Sequence, residues 1–560
     1  MLRGYRRGWL RPDLIAGLTV GAMLIPQSMA YAELAGMPPQ YGFYAVIAPL
    51  VLYAVVGSSR HLGVGPEPGT AILAATGVGA LAAGDPARYL VLMSALALLV
   101  GAIAVLAALA RLGFIASVLS KPVLVGYITG VGLTLLSSQI GAFTGVAIEA
   151  DRFFPRVAEL LGELGDIDPE TIAVGSVSLA LVLVLRRWAP RVPGALVAVA
   201  LATLAVWLTH ARSGEGDARW VPVVGTIPEG LPSPGLPAVG LADLAGLLPV
   251  AAGIVLVGFT DNVLTARAIA ARKGYRIDPN QELFALGVTN LSAGLSRGFP
   301  VSSSASRTAV PASLGSRTQL VSLIAAALVV ATVLALGPVL AEIPRAALAA
   351  VIVSAAIAII DVPGYRALWR VSRQEAFLAV AAALGVIVFD VLVGVLLAVG
   401  LSIAVALGRI ARPHDAVLGD KPELDGWVEV GAYPGAVTEP GLLVYRFDAP
   451  LFFLNTERFR ARVLDHLERN PGREDWLVLD FEGIGGLDAT ALDGLLDLLD
   501  QLEPTGVDQV AIARANDDVV RRLRSSGLLA PEGPIMSYPT INAAVRAYRD
   551  HRANPPAEPG

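Results

Sequence analysis

The chain has no cysteine in its 560 residues, which removes disulfides, thiolate metal sites and cysteine nucleophiles from consideration. Charge is scarce as well. Only 16% of residues are Asp, Glu, Lys or Arg against 55% hydrophobic, a balance beyond what the core of a soluble protein of this length needs. Lysine occurs only at Lys121, Lys273 and Lys421, none of them in the Gly-Lys-Ser/Thr of a phosphate loop, so the sequence gives no basis for ATP hydrolysis. His61, His210, His414, His466 and His551 are scattered without metal-ligand spacing, and neither HExxH nor GxSxG stands out. No enzyme and no cofactor is expected. A net charge of −5 without a long basic stripe argues against nucleic acid as a partner.

What the chain does have is apolar runs of helix-spanning length. About fourteen follow one another from Leu14 to Leu407, mostly with short connections, and they lack the alternation of a β-barrel. Arg3, Arg6, Arg7 and Arg11 precede the first run without a small-residue cleavage site, so the start reads as an inner anchor. With that end inside, even-numbered runs should close on basic loops. Arg60, Arg111, Arg186, Arg272, Arg317, Arg370 and Arg412 all fall on that side, whereas the outer connections 148–170 and 210–243 are acidic or mixed. Both termini are therefore expected in the cytoplasm.

After Arg412 the composition changes to a Pro/Gly-containing linker, 413–440, and then to alternating short strands and helices over 441–550, the pattern of one small sheet covered by helices. GLLVYRFDAPLFF reads as a strand pair, and residues 551–560 read as a disordered tail.

Two of the membrane runs are abnormal in the same way. GVGPEPGTAILAATG and GFPVSSSASRTAVPA each begin with Gly and Pro, which stop a helix from passing through, and each then starts a half-helix at depth. Such a start aims unpaired N–H groups and a positive dipole end forward, so the serines read as capping and solvating a helix start that faces an anion. The two runs occupy matching places in the two halves, about 12–210 and 244–410. That is the pattern of an inverted repeat with a site at the membrane midplane.

These residues also resemble a family. DLIAGLTVGAMLIPQSMAYAELAGMPPQYGFYA, GSSRHLGVGPE, GFPVSSSASRT and FTDNVLTARAIAARKG are similar to segments of the SulP anion transporters, and DFEGIGGLDATALDGL to the STAS domain that follows the membrane part in that family. The resemblance implies an all-α membrane domain over 1–412 with about fourteen segments as a seven-plus-seven inverted repeat, a core moving against a gate, a cytoplasmic α/β STAS domain and a homodimer. It implies an anion site at Gln27, Tyr31, Glu67, Gly69, Thr70, Ser304, Ala305, Ser306 and Arg307, and a coupling-ion site at Asp261 with Thr265. Glu67 departs from the family's animal members, which carry an aromatic residue there, and the residues alone allow it to be a helix cap. Small-residue packing is open for Ser302 to Ser304, a structural counter-charge for Arg307, a permanent pair with Arg307 for Asp261, and packing alone for Asn262. Thr490 matches a hydroxyl that is phosphorylated in related soluble domains, or simply caps the helix that follows.

The expected function is proton-coupled uptake of an inorganic oxyanion, sulfate first, by alternating access of elevator type. A sodium-coupled bicarbonate transporter and an uncoupled exchanger or channel for chloride or dicarboxylate use the same site. A nucleobase permease shares the architecture but should lack both Arg307 and the STAS domain.

Overall fold

The computed structural model describes residues 5–553 apart from 118–119, 151, 190–191, 214–220, 226–229, 390, 425, 470–473 and 531–532. Every apolar run contains helix. The first half holds α1 (Leu10–Leu34), α2 (Gln40–Val56), α3 (Pro68–Ala82), α4 (Pro86–Leu109), α5 (Lys121–Ser138), α6 (Ile140–Thr144), α7 (Phe153–Gly162), α8 (Pro169–Trp188) and α9 (Gly194–Ser213). The second holds α10 (Leu241–Lys273), α11 (Pro279–Leu295), α12 (Ala305–Ser313), α13 (Leu320–Ala335), α14 (Gly337–Ala341), α15 (Arg345–Ile359), α16 (Val362–Val371), α17 (Arg373–Phe389) and α18 (Val391–Ala411). Helix starts follow local chemistry. Asp85, Asp168 and Asp278 each accept first-turn N–H bonds ahead of a proline, which needs no donor there.

The two halves interlock by reciprocal contacts. In chain order of the spanning helices, the first of one half packs on the fourth of the other through α10 with α4 and, through α1 with α13, in reverse. Second and fourth helices meet likewise, as α11 with α4 and α2 with α13, and fifth and sixth as α5 with α17 and α15 with α8. Small residues permit the closest of these approaches. A Cβ on Gly101 would stand 2.8 Å from the carbonyl of Gly287, and one on Gly287 would stand 2.9 Å from that of Gly101. Two short amphipathic helices that the apolar runs did not reveal, α7 and α16, follow the fifth spanning helix of each half.

The chain divides into compact units at Met1–Ser402 and Ile403–Gly560. In the second unit a six-stranded sheet has the order β4-β3-β5-β6-β7-β8, in labels that follow two short strands of the first unit, β1 (Val64–Gly65) and β2 (Ser302–Ser303). β3 (Asp415–Lys421) and β4 (Gly426–Glu429) form a hairpin inside the stretch expected as linker. β5 (Leu442–Phe447), β6 (Trp476–Asp480), β7 (Gln509–Ala513) and β8 (Ile535–Tyr538) run parallel. Apolar side chains alternate along β5. Leu443, Tyr445 and Phe447 face α19 (Thr456–Glu468), α20 (Ala489–Leu502) and α21 (Asp517–Ser525), while Leu442 and Val444 face α22 (Ile541–Ala553). The expected strand pair is thus one strand: β5 ends at Phe447, Asp448 makes the last bond to the β3 side, and Phe452 leads into α19. α22 also runs three residues into the expected tail, its Tyr548 held by the carbonyl of Pro440; residues 554–560 lie outside the described part.

Candidate anion site

The starts of the two half-helices meet. β1 pairs antiparallel with β2, Val64 opposite Ser303 and Gly65 opposite Ser302, so α3 and α12 begin on either side of a two-residue ladder. One more bond, from the Ser304 N–H to the Gly63 carbonyl at 3.1 Å, extends it. An isolated ladder this short is unstable, and α10 and α11 hold it in place. Asn262 Oδ1 accepts from the Ser303 N–H at 2.8 Å and from the Ser302 hydroxyl at 3.1 Å. Asn290 receives the Val301 N–H on its Oδ1 and donates its amide to the Val301 carbonyl, both at 2.9 Å. Both amides are fully buried, so each supplies the strand with partners that water cannot.

Glu67 is the cap of α3. Its carboxylate accepts from the Thr70 N–H at 2.9 Å, and the Thr70 hydroxyl donates back to its carbonyl at 3.0 Å. On the opposite side the serines do not repeat this. Ser304 stands at the N-cap position of α12, where its side chain makes no capping bond among the described residues, and Ser302 and Ser303 form β2 instead of capping the helix as expected of the serines. Ala305 begins the helix, and the side chain of Ser306 lies outside the described part.

Arg307 is the largest fully buried side chain of the described residues, and its Nε, Nη1 and Nη2 have no hydrogen-bond partner among them. Its guanidinium lies against β1, where a Cβ on Gly65 would stand 3.6 Å from Nη2. Tyr31 and Glu67 are both near enough to interact with its charge. Among the described residues no acid pairs with it. Asp261 is instead near Glu67 and accepts from the Ser303 hydroxyl at 3.3 Å, so the reading of Asp261 and Arg307 as a permanent pair does not hold. Thr265 lies one turn along α10, half-buried, with no hydrogen bond to Asp261 among the described contacts.

Gln27 and Tyr31 come from α1, both buried, and the Gln27 Oε1 has no partner among the described residues. Gly258 lets α10 come close, since a Cβ there would meet the Ser302 hydroxyl at 3.2 Å and Thr70 Cγ2 at 3.8 Å. Tyr127 was not anticipated. It reaches in from α5, close enough to Glu67 and Asp261 to feel both charges, with its buried hydroxyl unpartnered among the described residues.

Two buried carboxylates clamp the loops behind the half-helices. Glu282 accepts from the N–H groups of Ser58 and Ser59 and from the Tyr53 hydroxyl, all at 2.8–2.9 Å. Asp13 accepts from the Arg317 N–H at 2.7 Å and the Thr318 hydroxyl at 2.6 Å. His61 joins the two loops through Tyr275 and the Ser316 carbonyl. The sequence marks the two carboxylates only faintly, since Asp13 stands just before the first apolar run and Glu282 at the polar start of a later one.

In the second unit, Asp488 and not Thr490 caps α20, through the Ala491 N–H at 2.8 Å, while its other oxygen holds the Phe453 N–H at 2.9 Å. Thr490 is exposed in the first turn, so its reading as the cap is corrected.

Interlocked helical halves, two half-helices meeting start to start and between them a buried arginine that is unpaired among the described residues define a membrane transporter of the broken-helix class. Comparison with known proteins gives the family. Residues 10–382 match the sulfate permease family and residues 433–544 the STAS domain. A probable sulfate transporter of Mycobacterium tuberculosis is 48% identical over 547 residues, covering 98% of this chain and 97% of its own. The chloroplastic sulfate transporter 4.1 of Arabidopsis thaliana is 31% identical, with 97% and 81% covered. Among solved structures, murine Slc26a9 in the inward-facing state superposes with a TM-score of 0.90 at 23% identity, over 98% of this chain and 93% of that one. The transmembrane domain of the cyanobacterial bicarbonate transporter BicA gives 0.60 at 23% identity, over 72% and 98%. The chain belongs to the sulfate permease family, and it is a transporter, not an enzyme.

Proposed function

We propose that this protein takes up a small inorganic oxyanion, sulfate first, across a bacterial inner membrane by secondary transport coupled to protons. One observation carries the reading: Arg307 is buried without a partner among the described residues, beside two helix starts. A guanidinium in that position costs several kcal/mol, and an oxyanion offers it charge-assisted bonds in return. Gln27, Tyr31 and the first-turn groups of Gly69, Thr70 and Ala305 to Arg307 surround the anion. Sulfate is favoured over bicarbonate because the relatives alike over nearly the whole chain are named sulfate transporters, whereas BicA shares the fold at lower identity.

Asp261 takes the coupling proton. It lies at depth with a serine hydroxyl and no cationic partner among the described residues, so neutralising it offsets the cost of carrying an anion inward against the membrane potential. The eight helices α1–α4 and α10–α13 move as a core against a gate of α5, α8, α9, α15, α17 and α18. The protein works as a homodimer with both termini in the cytoplasm.

Uptake into proteoliposomes, with labelled sulfate, bicarbonate, chloride and a dicarboxylate under imposed proton or sodium gradients, tests this directly. Sulfate accumulation driven by protons is expected. Bicarbonate accumulation driven by sodium, or downhill exchange that neither gradient drives, overturns it.

A further inference from the structure

Beyond the transport site, the second unit holds a basic cavity at the end of the last apolar helix. Asn455, fully buried, donates its amide to the carbonyls of Ile410 and Pro450 at 3.2 and 2.9 Å, while its Oδ1 accepts the Phe452 N–H at 3.0 Å. This buried amide fixes the start of α19 against the last turn of α18. Arg412, which follows α18, is thereby set beside Arg458 and Arg462 of α19, and together they line a cavity of about 450 Å³ with Leu454 and Glu457.

The charges around this cavity are unevenly matched. Glu457 is engaged by Arg460 at 2.6 Å, and Arg462 by Asp415 at 2.8 Å and by Asp465 at 3.0 Å. Arg458 makes only a 3.7 Å pair with Asp415, and its buried Nε has no partner among the described residues. The side chain of Arg412 is exposed, with no acid paired to it there. Two guanidinium groups thus remain to converge on a ligand. Beside Leu454, Phe453 is an aromatic residue 69% exposed, on the loop that Asn455 holds against α18.

We propose that this cavity binds the phosphodiester headgroup of an anionic phospholipid. Arg412 and Arg458 take the phosphate, and Phe453 lies in the interface beside its acyl chains. The source is favoured because α18, 21 residues long, is long enough to cross the hydrocarbon, and Arg412 follows it directly. Arginines placed at such an end meet headgroups, each contributing to binding at an anionic surface. Free phosphates would find the same guanidinium pair but would have no use for Phe453.

The test uses the purified full-length protein in neutral detergent, titrated with short-chain phosphatidylglycerol, short-chain phosphatidylcholine or glycerol phosphate, with melting temperature as the readout. Phosphatidylglycerol should raise it, and the other two should not. In the Arg412→Gln/Arg458→Gln variant, half of that rise should need about thirtyfold more lipid, two surface arginines' worth. Arg412→Lys/Arg458→Lys, which keeps the charge, should recover most of the response. Arg521→Gln removes an exposed arginine from α21 and should leave it unchanged. A wild-type response in the double glutamine variant overturns the site, and so does an equal response to phosphatidylcholine. An equal response to glycerol phosphate overturns the lipid as its source.

Discussion

The backbone N–H of Ser303 donates to Asn262 at 2.8 Å, and the hydroxyl of the same serine reaches the carboxylate of the preceding residue, Asp261, at 3.3 Å. The strand that positions α12 and the acid proposed to carry the proton are therefore one hydrogen-bonded unit. A change of charge on α10 is felt at the start of α12 without any long-range relay.

Removing Asn262 should consequently damage more than packing. Asn262→Ala orphans a buried N–H, a loss of about 1–3 kcal/mol, and frees β2. We expect a lower melting temperature together with weaker anion binding by calorimetry. A variant that melts lower but binds sulfate normally would show that the amide serves stability alone.

Arg307→Ala should cut anion affinity about tenfold to a hundredfold, the worth of charge-assisted hydrogen bonds. Arg307→Lys should fall between, because an ammonium supplies the charge without the planar fork. Unchanged affinity in a folded alanine variant would make the arginine structural.

Asp261→Asn resembles the protonated acid. Under proton coupling it should still bind and exchange anion while losing accumulation driven by a proton gradient. Under sodium coupling the same change removes a charged ligand oxygen, and sodium-dependent uptake should collapse with substrate affinity. Gradient-driven accumulation at wild-type level would take Asp261 out of the mechanism.

Where the chain is cut should matter. Deleting 440–560 leaves the β3–β4 hairpin without β5, the strand on which β3 pairs, exposing the edge of β3, whereas deleting 413–560 removes the sheet whole. The second truncation should express better and keep anion binding, as monitored by size-exclusion profile and calorimetry. Loss of all binding in a folded 1–412 protein would refute the separation of roles.

His466 gives a pH dependence. Burial first, and then the Arg462 charge, push its pKa below the ordinary value, while its ring packs 5.7 Å from that of Tyr445. The native state thus favours the neutral ring. Its contribution is present above the unfolded value of about 6.5 and is lost as pH falls through the lowered native one. Protection factors across α19 should fall as the pH drops below about 6.5, and His466→Gln should flatten that dependence.

Much of this architecture was legible because lipid imposes a simple rule on composition. Apolar runs located the spanning helices, and Gly-Pro interruptions located α3 and α12. What escaped was short, amphipathic or dependent on distant partners. α7 and α16 lack the length of a span, and the hairpin of β3 and β4 is too polar and Gly-rich to announce itself. Ser304 and Thr490 carry the right chemistry for caps, but capping depends on side-chain geometry, and Asp488 takes the second role. Asn262, Asn290 and Tyr127 act across elements far apart in the chain, and no local pattern marks them.

The two-residue ladder of Val64–Gly65 with Ser302–Ser303 has a consequence for how the protein is made. Its strands are contributed by opposite halves, and synthesis separates them by more than two hundred residues. Until Ser303 leaves the ribosome, the first seven spanning segments hold Val64 and Gly65 as an unpaired edge beside the start of α3. An early release factor, a stalled ribosome or a cut between the repeats would therefore leave a membrane-inserted half with unsatisfied backbone at depth. That fragment is a natural substrate for membrane quality control, and co-expression of the second half should rescue it.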